Sequence, residues 1–343
     1  MKIKLLLKNN HDVKIILVAI IFYASACLGY FLAFSSTTAL PIWPPSGIAF
    51  ALIVLLGRSA WPGITIGALV ANLMAYWNNP TLPPQTIIAI SSCIAIGNTL
   101  EAVTGNFLVK KWIRDDYPFR SAVNAFRFLF VSLLMGLIGA FIGTLGLYTN
   151  AVIIQTEVVK TLFSWWAGNV VGILLFAPFI LSWSQSHQLK FSAEKALEIG
   201  FFLLCTSVIF YLMRIDYFNA PIMRAVPFMI LPFLLWLAFR FELIVAVSGV
   251  LIVSLLSVYF TVKGIGPFVM AEPYHSIVLL QIFIGVMSIS TIALAATVKE
   301  RMEAQRKLLE FNETLEASVQ FRTKALNEEI NTRKEAEEKL KRT

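Results

Sequence analysis

Seven polar side chains stand inside stretches that are otherwise apolar: Asn72, Asn98, Glu101, Asn106, Asn124, Arg127 and Asn169. Glu101 is the sharpest case, because it lies more than two helical turns before Lys110. A carboxyl at that depth in an apolar segment must be paired, protonated or turned to a polar cavity. Asn98 precedes it by three residues and shares its helix face. Arg127 stands a similar distance into the next apolar stretch, counted from the same loop, and is the partner expected for Glu101. Two readings are level: a Glu101–Arg127 pair that locks neighbouring helices, and a ligand or proton site. Trp165-Trp166, followed by Gly168, Asn169 and Gly172, offers the residues of a pocket wall, although tryptophans near a span end also serve as interfacial anchors.

The most distinctive local run is Pro41-Ile42-Trp43-Pro44-Pro45-Ser46-Gly47. Adjacent prolines do not both fit a helix interior, and each residue before a proline is pushed to extended geometry. The run therefore predicts a chain break at the outer membrane face, with Trp43 at interface level and Ser46-Gly47 as the N-cap of the next span. Helix N-termini at membrane depth attract anionic groups. On chemistry alone, a tight interfacial turn is the preferred reading. A second break, Gly57-Arg58-Ser59-Ala60-Trp61-Pro62-Gly63, predicts a short hairpin turn on the inner side anchored by Arg58. Gly63 and Gly67 after it form a small-xxx-small pair for close helix approach.

The elements that must position these residues are membrane helices. Of 343 residues 58% are hydrophobic and 14% charged, with a mean hydropathy of +0.75, whereas a soluble domain carries about a quarter charged residues. The fold class expected is an all-α polytopic membrane protein with 8–10 transmembrane helices. The spans fall near 14–34, 46–57, 60–77, 86–109, 122–148, 157–183, 195–213, 222–239, 241–262 and 275–298, the second and eighth being short for a full crossing. Lys2, Lys4, Lys8 and Lys14 place the N-terminus inside, and Lys110, Lys111, Arg114 and Arg120 place the 109–121 loop on the same side. Arg214, Arg224 and Lys263 fall outside and weaken the pattern, but an even span count returns the C-terminus to the cytoplasm, where Lys299, Arg301, Arg306 and Lys307 agree. The location expected is a bacterial inner membrane with lipid as its surroundings.

The net charge of +8 belongs to this topology and makes no case for nucleic acid. Cys27, Cys93 and Cys205 each lie in an apolar run and read as small buried hydrophobes. His11, His187 and His275 lack ligand spacing, so neither a metal nor another cofactor is expected.

From Val298 the composition turns charged and helix-forming, and no Pro or Gly follows Gly285. The last span should run unbroken into a cytoplasmic helix over 299–343. Leu308, Leu315, Val319, Leu326, Ile330 and Leu340 recur mainly at intervals of four and seven, the seam of a two-stranded coiled coil and hence of a homodimer. Leu308, Val319 and Ile330 are also eleven apart, which relaxes the supercoil and suits a helix that shifts between two packings.

Trp43-Pro44-Pro45-Ser46-Gly47, then Gly57-Arg58, Trp61-Pro62-Gly63 and Asn72, resemble the N-terminal signature of the first type of bacterial membrane-associated sensor domain, MASE1. Trp165-Trp166-Ala167-Gly168-Asn169-Val170-Val171-Gly172, with Pro178 beyond, resembles that family's second signature. One position departs: the family usually has Asp where this chain has Asn169, so a sensing role resting on that carboxylate does not carry over. Leu315–Thr323 and Glu329–Glu337 resemble the signalling helix found before PAS, histidine-kinase or GGDEF domains.

The resemblance implies a sensor domain over 1–298 and a signalling helix over 299–343, serving a two-component or cyclic-di-GMP pathway through a cytoplasmic output domain or partner protein. No phospho-acceptor histidine, Gly-rich nucleotide loop or GGDEF-like run occurs, so neither kinase nor cyclase activity is expected of the chain. The chain stops where an output domain would begin, and the expectation is a truncated or split receptor, or a regulator that pairs with another chain. The sensing region expected comprises Trp43, Pro44, Pro45, Ser46, Gly47, Asn72, Asn98, Glu101, Arg127, Trp166 and Asn169. The rival readings are a small-molecule transporter, since broken helices also mark substrate paths, and a passive anchor for a partner.

Overall fold

The computed structural model describes residues 10–33, 40–114, 117–185, 192–215 and 225–342, with side chains in the last stretch up to 337 and at 341. Lys2, Lys4, Lys8, His187, Arg224 and the side chain of Leu340, singled out above, lie outside the described residues. Every regular element among the described residues is helical: α1 (His11–Phe31), α2 (Pro44–Leu56), a 3-10 turn (Arg58–Ala60), α3 (Trp61–Trp77), α4 (Pro84–Trp112), α5 (Ala122–Thr149), a second 3-10 turn (Gln155–Glu157), α6 (Val158–Gln185), α7 (Ala193–Arg214), α8 (Val226–Arg240), α9 (Leu243–Val262) and α10 (Pro273–Arg342). They fall on the ten apolar segments read from the sequence, with α10 running on through the charged tail. Among the described residues seven helices are long and apolar enough to cross a membrane: α1, α4, α5, α6, α7, α9 and α10.

The chain divides into two compact units, Met1–Ala296 and Thr297–Thr343. In the first, the short helix α2 sits at the centre. Its 13 residues rise only about 20 Å, against a hydrocarbon core of about 30 Å. Of Pro44 to Ile53, all but Ile48 are buried. α2 packs on α6, α4 and α1, while α5 packs on α4 and α6, and α3 on α1 and α4. Phe50 of α2 meets the Phe128 ring at 5.7 Å, and Phe119 meets Phe128 edge-on at 5.0 Å.

Two glycines let α2 lie this deep. A Cβ on Gly172 of α6 would run into the Trp43 carbonyl, and one on Gly47 of α2 would run into the Gly172 carbonyl. The two backbones touch directly, and main chain has no rotamer with which to yield. The same device joins α1 to α3, where a Cβ on Gly63 or Gly67 would meet the carbonyls of Ile15 and Ala19 at 2.5 and 2.6 Å. The small-xxx-small reading of that pair therefore stands.

The ends of the bundle are tied by polar contacts. At one end Lys14 Nζ donates to Ser59 Oγ and to the Leu56 carbonyl, closing the Gly57–Trp61 turn, where Gly57 takes φ 86°. Arg240 bonds Glu194 and Glu198 across α8 and α7 at 3.0 Å each. At the start of α6, Lys160 holds Glu272 at 2.6 Å, which keeps the Glu272 carboxyl below its ordinary pKa. Between the ends the outward faces are apolar, with Ile16, Ile20, Phe126, Phe141, Phe201 and Phe239 all more than half exposed. Only a hydrocarbon solvent satisfies stripes of that extent. This also corrects the cysteine reading: Cys27 is exposed and Cys93 and Cys205 half-buried, since in a membrane helix an apolar side chain has lipid as an alternative to the core.

The second unit is helical throughout its described residues. Leu308, Leu315, Val319, Leu326 and Ile330 are between 41% and 61% exposed, so in a single chain the stripe has no partner. The glycine notch yields a clear expectation. Gly47→Ala or Gly172→Ala should cost about 1–3 kcal/mol or more, as overpacking against rigid neighbours does. Gly200→Ala, with nothing within 4 Å of its Cβ, should cost nothing; thermal unfolding of the three variants in detergent checks the order.

Candidate functional site

The site is assembled where α2 begins. Trp43 donates its backbone N–H to the Gly168 carbonyl at 3.1 Å and its indole Nε1–H to Asn98 Oδ1 at 3.2 Å. Gly168 lies ten residues into α6, about 15 Å from that helix's start. Trp43 is only 8% exposed, and its ring packs on Tyr30 at 5.5 Å. The expected interfacial turn with Trp43 as its anchor is thereby corrected: the break lies inside the bundle, because the Gly47–Gly172 contact admits it there. The capping assignment changes too. Trp43 occupies the N-cap without a side-chain bond to the helix's first N–H groups, and Ser46 is the third residue of the helix. Its Oγ is buried without a hydrogen bond, next to Glu101.

Glu101 is 1% exposed. Its Oε2 accepts from Asn169 Nδ2 at 3.1 Å, and its Oε1 has no partner. Asn169 Nδ2 also donates to the Gly136 carbonyl at 3.2 Å, so one amide ties α4 to α5 and α6. Gly139 of α5 leaves room for the carboxyl, since a Cβ there would overlap Glu101 Oε2. Beside the group lies the first turn of α2, the helix end that favours negative charge.

Arg127 is not its partner. The guanidinium bonds the Trp112 carbonyl and Asn124 Oδ1, each at 3.3 Å, at an exposed position. Arg127 precedes Gly139 by twelve residues, which on one helix is about 18 Å along the axis and a third of a turn around it. Counting from the loop therefore misplaced Arg127 both along α5 and around it.

Asn169 and Gly139 also line a cavity of about 70 Å³, several times the space that one water needs. Of the expected residues, Trp43, Asn72, Asn98 and Asn169 line it. Pro44, Pro45, Ser46, Gly47 and Glu101 stand behind that lining. Trp166 does not face it: its Nε1–H donates to the Leu133 carbonyl at 2.8 Å and its ring meets Phe163. The neighbouring Trp165 lines the cavity instead, together with Tyr30, Tyr76 and Leu40. Trp165 belonged to the pocket wall read from the sequence, though not to the sensing region, and two of the missed residues, Tyr76 and Gly139, carried a signal. Tyr76 is four residues after Asn72, and Trp165 four before Asn169, so each shares a helix face with a residue already chosen. Gly139 belongs to a stripe, Gly136, Gly139, Gly143 and Gly146, whose spacing also marks a packing face. Tyr30 and Leu40 had no such signal.

One further residue was not legible. Gln281 of α10 is 3% exposed, and its Nε2 donates to the carbonyls of Leu40 at 3.2 Å and Ser164 at 3.1 Å. A cavity residue is thus bonded to the helix that continues into the tail. Among the described residues there is no group of His, Cys, Asp and Glu able to hold a metal ion. The arrangement is suited to binding, and to holding a proton or charge at Glu101.

A family model described as MASE1 matches residues 15–302. No curated protein and no solved structure matches the chain. The geometry sets an order of costs: Asn169→Leu removes the donor to a buried carboxyl and should destabilise by about 1–3 kcal/mol, while Arg127→Ala should stay within about 0.5 kcal/mol. Unfolding midpoints in detergent measure both, and a Glu101–Arg127 pair would reverse the order.

Proposed function

The chain belongs to the MASE1 family of membrane-associated sensory domains, and from that premise we propose that it is the input module of a bacterial signal-transduction protein, reading its stimulus at the Trp43–Asn169 cavity. The family is a sensory domain and not a catalytic one, and its seven long apolar helices make the chain a multi-pass membrane protein. In this reading both termini face the cytoplasm, the membrane is the inner one, and residues 299–343 pair two copies in a coiled coil. The output, a two-component or cyclic-di-GMP enzyme, is carried by a following domain or a partner chain.

The observation that supports the reading is Gln281. It lies on the same helix as the tail and bonds the carbonyl of cavity-lining Leu40. A ligand that displaces Leu40 or Trp165 changes the bonds of Gln281, whose Oε1 is already without a partner, and so biases the position of α10. A seam with eleven-residue spacings accepts such a bias as a change of register.

A specific observation favours transport as the second reading: α2 is a short helix starting inside the bundle, a feature of substrate paths. Proteoliposomes that accumulate a solute, and lose this on Glu101→Gln, would establish it. The sensory reading is tested by single-cysteine crosslinking from Leu308 to Ile330 in native membranes, with Cys27, Cys93 and Cys205 replaced by Ser. Crosslinks should recur at coiled-coil spacing, and Gln281→Leu or Trp165→Ala should move their phase. An absent pattern, or one that neither substitution moves, would sink the relay.

A further inference from the structure

We propose that the Trp43–Asn169 cavity binds a small organic ammonium ion through an aromatic cage. The proposal deepens the sensory reading and rests on it for the consequence of binding, while the binding itself is argued from the cavity alone.

Four aromatic side chains line the space: Tyr30, Trp43, Tyr76 and Trp165. They come from α1, the α2 N-cap, α3 and α6, so the rings enclose it from several helices and do not form one stacked stripe. Aromatic faces attract cations through their ring quadrupole, most strongly where water is scarce, and such cages are a general means of holding ammonium groups. Among the described residues no Lys, Arg or His lines the cavity, so their side chains provide no positive charge there.

The amides point to the same class. Asn72 Nδ2 is engaged by the Ala68 carbonyl, Asn98 Nδ2 by the Ile94 carbonyl, and Asn169 Nδ2 by Glu101 and the Gly136 carbonyl. Asn169 Nδ2 thus has both hydrogens engaged and Asn72 and Asn98 one each; on the acceptor side, Asn169 Oδ1 takes no bond from a described residue, Asn98 Oδ1 takes one from Trp43, and Asn72 Oδ1 one long bond of 3.5 Å from Tyr30. Acceptors open in this way receive a ligand that brings donors or positive charge. The Glu101 carboxyl behind Asn169 forms no ion pair with a described residue, and in its ionised form it would favour a cation in the cavity over an anion. At about 70 Å³ the space admits a compact head group and excludes a large ligand.

The test is isothermal titration of the full chain in lipid nanodiscs with choline and tetramethylammonium, set against 3,3-dimethylbutan-1-ol, the neutral isostere of choline, and inorganic phosphate. Saturable binding of the two cations is expected, at least tenfold tighter than the isostere, with phosphate not binding. Trp165→Leu should weaken the cations about tenfold, and Trp165→Phe should restore part of the loss. That partial rescue separates lost ring contact from a folding defect, which thermal unfolding of each variant monitors. Equal binding of the isostere, binding of phosphate, no saturable cation binding, or indifference to Trp165→Leu in a folded variant would each overturn the proposal. The tail-crosslinking phase is read in the same preparations with and without choline. Cation binding with an unmoved phase supports the cage and tells against the relay. A phase that shifts on Trp165→Ala in a protein binding neither cation keeps the relay and removes this ligand class.

Discussion

Contact between two stretches of main chain, at Gly47 and Gly172, governs the rest of the molecule. Because neither residue has a side chain, the start of α2 approaches α6 closely enough for Trp43 N–H to reach the Gly168 carbonyl. With that bond made, the two prolines that break the chain lie inside the bundle and not at its surface. Proline suits the first turn of a helix, where its missing N–H has no partner to lose. The arrangement turns what would be an interfacial loop into the centre of a core, and every contact of the site is measured from it.

From that fixed point the site follows by necessity. The first turn of α2 presents Ser46 to Glu101, and the indole of Trp43 spans to Asn98. Glu101 then needs space on α5, which Gly139 gives, and a donor, which Asn169 gives from α6. A buried polar group without a partner is costly, so the carboxyl, the amide and the glycine constrain one another. Their partial satisfaction also leaves Glu101 Oε1, Ser46 Oγ and Gln281 Oε1 without hydrogen bonds.

The relation of the cavity to α10 links the site to its proposed use. Gln281 is the polar tie between Leu40, Ser164 and the helix that leaves the bundle. Around it on that helix Ile277, Leu280 and Ile284 are buried and apolar, and Ser276, Ser288 and Thr291 are buried polar residues with short side chains. A directional bond in an apolar interface is where a small displacement is converted into a choice between two packings.

The sequence by itself determined the class, the helices and their approximate limits, because hydropathy and proline placement act locally and bilayer thickness sets a fixed length. It also marked Trp43, Asn72, Asn98, Glu101 and Asn169, since a polar residue in an apolar span is conspicuous wherever it sits. Only the tertiary structure decided which of these meet. Arg127 lies more than three turns along α5 from the Gly139 that meets Glu101, and on another face, and Trp165, not Trp166, faces the cavity. Residue counting gives position along a helix axis, whereas partnership depends on the azimuth of each helix against its neighbours. That azimuth is set by packing details such as a glycine notch between α2 and α6, two elements separated by more than a hundred residues.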